Sequence, residues 1–174
     1  RFRVRRAMPD SPATRAFCRM LADSHARLVG RPLVPGQSTM DDAALAGALI
    51  ALDRPLVAHG TEADPIFCYA NAAALALWGI GWSDFTRLPS RRSAEADAAT
   101  QQDRDRLLAE ARENGWIAGY AGIRRAANGQ RFRIADTILW TVQDAAGQAR
   151  GQAALIGRVE PLASPLVAGR AAGR

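Results

Sequence analysis

The chain has 174 residues, is 48% hydrophobic and carries a formal net charge of +6. All 23 basic residues are arginine, and six of them lie at positions 1, 3, 5, 6, 170 and 174, so residues 7–169 hold 17 Arg against 17 acidic residues. The neutral central part lacks the basic excess of a nucleic-acid domain, and no direct nucleic-acid binding is expected. No apolar run approaches the roughly 20 residues that cross a bilayer, and no segment has the order of a secretory signal; no membrane contact and a cytoplasmic location are expected.

Residues 1–10 are expected to form a disordered or adventitious N-terminus, with Met8 read as a start. Ser11-Pro12 opens a helix, Ser as N-cap and Pro at the first helical position. Ala13, Ala16, Phe17, Met20, Leu21, Ser24 and Leu28 follow at helical spacing until Gly30, which puts His25 on the polar, solvated face. Prolines 32 and 35 forbid helix. Ser38 is then read as the cap of a second helix reaching about Leu52, with Asp41 and Asp42 in its first turn. Residues 11–54 are thus an N-terminal helical arm.

Residues 55–160 read as a second unit. Leu56–His59 is a first strand and Ile66–Tyr69 a second, β-branched and aromatic, joined by a turn-forming Gly60–Pro65. Asn71 caps a short helix to Trp78, ended by Gly79. Thr100-Gln101-Gln102-Asp103 resembles a capping box, followed by a stripe of Leu107, Leu108 and Ala111 and a stop at Asn114-Gly115. From Gly119 the pattern becomes that of strands. Asn128-Gly129 signals a hairpin because both residues tolerate positive φ. Along the next strand Phe132, Ile134, Asp136, Ile138, Trp140 and Val142 share one side, taken as the inner one. Asp144–Gly147 turns the chain into a last strand, Gln152–Val159, and residues 161–174 read as a flexible tail. The order predicts an α+β fold: an antiparallel sheet with short helices on one face, preceded by the arm.

This order, with Tyr69-Ala70-Asn71-Ala72-Ala73-Ala74-Leu75-Ala76-Leu77-Trp78, resembles a PAS domain. More specifically, the chain is similar to the MEKHLA family, a PAS-related domain found alone in bacteria and at the C-terminus of plant class III homeodomain–leucine zipper regulators. Ala58-His59-Gly60-Thr61, Asp64-Pro65, Asn71, Ala74–Trp78, Leu88-Pro89-Ser90-Arg91, Gly115-Trp116-Ile117, Tyr120–Arg124, Gly129–Phe132 and Trp140 carry the match over about Arg15 to Val159. The plant proteins' homeodomain and zipper are missing from this sequence, so transcription-factor function does not carry over. The resemblance implies a sensing or protein–protein module that holds a small ligand between sheet and helices or dimerises through the sheet and flanking helices. It implies no enzymatic activity.

The ligand-pocket candidates are His59, Asn71, Trp78, Tyr120, Arg124, Phe132, Asp136 and Trp140. His59 can face a pocket or tie down the Gly60–Asp64 turn. Asn71 is a helix N-cap or a ligand contact. Asp136, on the presumed inner face, must find a partner such as Arg124, Thr137 or a ligand, unless a bulge turns it outward. The aromatic residues, Trp82 and Trp116 among them, line a pocket or are plain core. Pro89-Ser90-Arg91-Arg92 is an anion-binding or a solvated loop. No metal site or cofactor is expected. Cys18 and Cys68 read as reduced, buried thiols, the Cys after Asn that a photoactive flavin domain needs is missing, and residues 93–114 offer no axial His for haem. Three functions follow: a small-ligand sensor, an interaction module forming a homodimer, or an enzyme using His59 and Asp136 as an acid–base pair.

Overall fold

The computed structural model describes residues 8–163. Helix α1 spans Pro12–Val29 and α2 Asp42–Ile50; strands β1 (Leu56–His59) and β2 (Phe67–Ala70) follow, then α3 (Ala72–Trp78), α4 (Trp82–Phe85) and α5 (Ala98–Asn114), and last β3 (Trp116–Arg125), β4 (Arg131–Gln143), β5 (Ala149–Leu155) and β6 (Arg158–Pro161). The strands form one six-stranded sheet in the order β2-β1-β5-β4-β3, with β6 also on β4, and all pairs are antiparallel. No helix among the described residues is long and apolar enough to cross a membrane.

Local chemistry sets the ends of these elements. The Ser11 side chain accepts from Thr14 N, and Gly30 closes α1 at φ 83, as the sequence predicts. Asp41, not Ser38, caps α2, because Ser38 is taken up in a 3₁₀ turn, Gln37–Thr39. Asp97 caps α5 ahead of Thr100 and accepts from Thr100 N at 2.9 Å. The Asn128-Gly129 hairpin forms, but only Gly129 has positive φ, at 84°. Gly129 N donates to Ala126 O, a type I turn followed by a left-handed glycine, and Asn128 Oδ1 accepts from Gln130 N at 2.9 Å.

The sheet is buried on both faces. On one, α3, α4 and α5 pack through Leu75, Trp78, Phe85 and Ala111 against Val57, Phe67, Phe132, Ile134 and Leu139. On the other, the arm lays Cys18, Leu21, Leu45 and Leu49 over Tyr69, Ile138, Trp140, Val142 and Leu155. Ser24 fastens the arm: its hydroxyl donates to Gln143 O at 2.9 Å and accepts from Gln143 N at 2.8 Å. Gln37 ties the linker to α1, with Nε2 donating to Ala22 O and Oε1 accepting from Leu33 N. His25 is therefore not solvated; it is 1% exposed, edge-on to Trp140 at 4.8 Å, because the docked side of α1 is rotated from the expected stripe. Met8 also packs on this core, and Asp10 pairs with Arg15 at 2.7 Å, so the expected disorder does not hold for residues 8–10. At the other end the expected tail begins later, since Pro161 pairs with Phe132. The rest of both terminal expectations lies outside the described residues.

Of the four register slips among the described strands, the last lies between Val142 and Gln143 at the end of β4, and the other three fall within the sheet. In β2 the register slips between Ala58 and His59. This leaves Cys68 as the extra residue of the edge strand, exposed rather than buried as expected. In β3 the register slips between Ile117 and Tyr120, and it is restored between Tyr120 and Gly122 by an extra residue in β4. That second slip is at Asp136, the one non-glycine residue with positive φ among those described, at 49°. Asp136 turns outward, 70% exposed, to pair with Arg158 at 3.3 Å, and so is not the buried carboxylate that alternation predicts. Phe132 and Ile134 face α3–α5 before the bulge, as Leu139 does after it, while Ile138, Trp140 and Val142 face the arm. The last strand breaks at the same level: β5 and β6 keep one register on β4 but are separated at Ile156-Gly157.

Candidate functional site

Between the inner sheet face and the helices lies a cavity of about 50 Å³. β1 contributes His59, α3 Trp78, β3 Tyr120 and Arg124, α5 Arg104, and β5 Gln152, while Ser90 and Ser93 come from the 3₁₀ turn before α5. Short apolar side chains, among them Val57, Ile134, Leu139 and Ile156, close the rest. A wider cleft of about 560 Å³ adjoins it and shares His59, Arg104, Leu108 and Gln152 as common walls.

The polar lining is buried and cationic. Arg104 is 8% and Arg124 7% exposed, and no Asp or Glu lines the cavity. Arg104 donates to Ser90 Oγ at 2.5 Å and reaches the exposed Asp105 at 3.3 Å. Arg124 donates to Ile123 O at 2.8 Å and to the Tyr120 hydroxyl, and has no carboxylate partner among the described residues. Burial first, and the Arg124 charge second, hold the Arg104 pKa below its ordinary value. Gln152 Nε2 donates to Leu108 O at 3.0 Å, linking α5 to β5 across the rim. Trp78 Nε1 and His59 Nε2 are buried without a hydrogen-bond partner among the described residues.

Four of the eight sequence candidates, His59, Trp78, Tyr120 and Arg124, meet at this cavity. His59 lines the cavity, and its Nδ1 lies 2.9 Å from Gly60 O and so also ties down the turn. Asn71 is a structural knot instead: Oδ1 accepts from Ala74 N and Leu56 N, and Nδ2 donates to Arg54 O. Phe132 stands behind the wall, edge-on to Trp78 at 5.4 Å. Trp140 lies on the opposite face of the sheet. His59 and Asp136 form no acid–base pair. Through Gln152, His59 is level with Thr141 of β4, and Asp136 lies five residues further along, roughly 16 Å at a strand's rise.

The loop at residues 89–92 divides between its two readings. Arg91 is solvated and pairs with Asp64 at 3.0 Å, whereas Ser90 is 2% exposed and bonded to Arg104. Arg104, Ser93 and Gln152 were missed from the sequence. For Arg104 a signal was present: it lies three, four and seven residues before Leu107, Leu108 and Ala111, on their side of the helix.

Both histidines make stability depend on pH. Burial, the largest cause in each, lowers the pKa of His25 and His59 below the usual 6.5, partly opposed by hydrogen bonds to Arg31 O and Gly60 O. The unfolded chain then takes up protons that the folded chain refuses, so stability is fully present above about pH 6.5 and is lost as pH falls through the folded values. Thermal unfolding from pH 8 to 5 should give a flat midpoint followed by a decline, shallower in H25N and H59N. An unchanged midpoint down to pH 5 would contradict the burial of neutral imidazoles.

An antiparallel sheet ordered 2-1-5-4-3 with helices packed on it is the architecture of the PAS fold. Solved structures similar to the chain carry the same fold. A PAS domain from Colwellia psychrerythraea is 13% identical with TM-score 0.56, covering 66% of this chain and 93% of its own. The blue-light photoreceptor Aureochrome1 LOV domain is 14% identical with TM-score 0.51, covering 70% and 86%. An RNA-binding light-oxygen-voltage receptor is 17% identical with TM-score 0.56, and the match covers 72% of this chain but 34% of the receptor. The MEKHLA domain model matches residues 15–160, and the chain belongs to that family. Among curated proteins none matches.

A flavin, which one LOV neighbour's description mentions, does not fit here. The cavity of about 50 Å³ is far below the roughly 300–1,000 Å³ of pockets for drug-sized ligands. Neither cysteine lines it: Cys18 is in the arm core and Cys68 is on β2 with its side chain exposed.

Proposed function

We propose that this domain is a sensory module that binds a small molecule in the cavity between sheet and helices and does no chemistry on it. One observation carries the reading: buried polar groups from β1, α3, α5 and β3 converge on a single cavity with hydrogen-bonding capacity left over at Trp78 and His59. Buried polar groups are ordinarily satisfied, so a group of them left open at a cavity supports a ligand. Membership of a PAS-related family supports the sensory role. Native mass spectrometry of the full chain purified from its source tests the proposal, with a small adduct lost on denaturation as the expected result. A bare chain that no panel of small metabolites stabilises would count against it. The same spectrum gives the oligomer number. Dimerisation through the outer sheet face has less support, because α1 and α2 of the same chain cover that face.

A further inference from the structure

We propose that the cavity ligand is a short-chain monocarboxylate, its planar oxyanion head clamped between the guanidinium groups of Arg104 and Arg124. The inference rests on the ligand-binding reading above and adds the chemistry of the ligand. Arg104 enters from α5 and Arg124 from β3, both more than nine-tenths buried. Burying a guanidinium is expensive unless it is paired, and two lining one cavity repel. Arg104 spends one bond on Ser90 and one weaker contact on Asp105 at the rim. Among the described residues Arg124 has the Ile123 carbonyl and the hydroxyl and ring of Tyr120, all neutral partners. An anion between them answers both charges at once, and guanidinium forks suit a planar carboxylate better than a spherical ion. Trp78 adds a buried N–H with no partner among the described residues. The Ser90 hydroxyl, which accepts from Arg104, keeps its own proton to donate.

Size and wall chemistry narrow the class. At 10–15 Å³ per water-sized site, a cavity of about 50 Å³ has room for about three to five non-hydrogen atoms, the range that holds acetate and propionate. Nitrate offers the same planar oxyanion. The apolar side formed by Val57, Ile134, Leu139 and Ile156 favours a ligand with an alkyl end. The adjoining cleft carries Arg112 beside Arg104, with Glu62 and Asp105 also on its walls.

Calorimetric titration and thermal shift of the dialysed full chain test this, at fixed ionic strength, with acetate, propionate, nitrate, chloride and the neutral isostere propionamide. Propionate should raise the unfolding midpoint by several degrees, and propionamide and chloride should not. R104M and R124M should each weaken propionate at least tenfold; each removes one of two repelling charges but also the partner of a buried hydroxyl, Ser90 or Tyr120, so the ligand-free midpoint is the control against which binding is read. If R124M does not fold, R124K serves: it keeps the charge, loses the fork, and should still weaken binding about tenfold. Equal response to propionate and propionamide, a response to nitrate alone, or full propionate affinity in the arginine variants overturns the carboxylate clamp. If a neutral molecule co-purifies and no anion acts, the clamp fails and the sensory reading stands; if nothing binds, both fail.

Discussion

Replacing Trp140 with alanine is expected to lower stability by about 3–5 kcal/mol, the usual cost of emptying a large buried aromatic site. Trp140 is fully buried, in the same core as Leu21, Leu45 and Leu49 of the arm and edge-on to His25. For a domain of this length the unfolding midpoint should drop by about 10 °C or more. The informative comparison is with ligand response. Because Trp140 faces the arm, W140F should retain the propionate response of the wild-type chain at a smaller stability cost. A tryptophan lining the ligand cavity would give the opposite pattern, and a W140A midpoint within a degree of wild type would refute the packing described for the arm.

Gly157→Ala is expected to cost about 2–4 kcal/mol, large for a single methyl group. A β-carbon at 157 would lie 2.2 Å from Asp136 O and 2.9 Å from Asp136 Cβ. The clash is chiefly with backbone, which has no rotamer to escape into. Relief requires β4 and the β5–β6 break to separate at the bulge that sets the facing of both strands. G47A is the matched control. It is exposed in the middle of α2 with nothing within 4 Å of the added carbon, and it should stabilise by about 0.5–1 kcal/mol. Denaturant midpoints of the two variants shifting in the same direction would contradict this account.

These two sites also show where sequence reasoning reached and where it stopped. Ser11-Pro12, Asn71 and Gly79 fix helix ends through backbone chemistry local to a few residues, and they could be read directly. Leu56–His59 and the hairpins were legible for the same reason. The facing of β4 was not. Alternation identifies an inner face only when the other face is wet, and here the arm makes both faces apolar. Phe132-Ile134 and Ile138-Trp140-Val142 therefore read as one continuous stripe, although Asp136 divides them between two cores. Position and residue type led to His59 at a strand end, Tyr120 among the aromatics and Arg124 beside the strand of Asp136, but not to Arg104, because a charged residue on a helix is ordinarily a solvent-facing one. Only the placement of α5 over the sheet shows that Arg104 and Arg124 share a cavity.

The facing that the Asp136 bulge sets for the rest of β4 has a mechanical consequence. Leu139 belongs to the cavity wall and Trp140, the next residue, to the seat of the arm. The two compartments meet across a single peptide bond in the middle of β4, with no loop or hinge between them. A ligand that displaced Leu139 on one side of the sheet would therefore move the backbone that carries Trp140, the ring partner of His25, on the other.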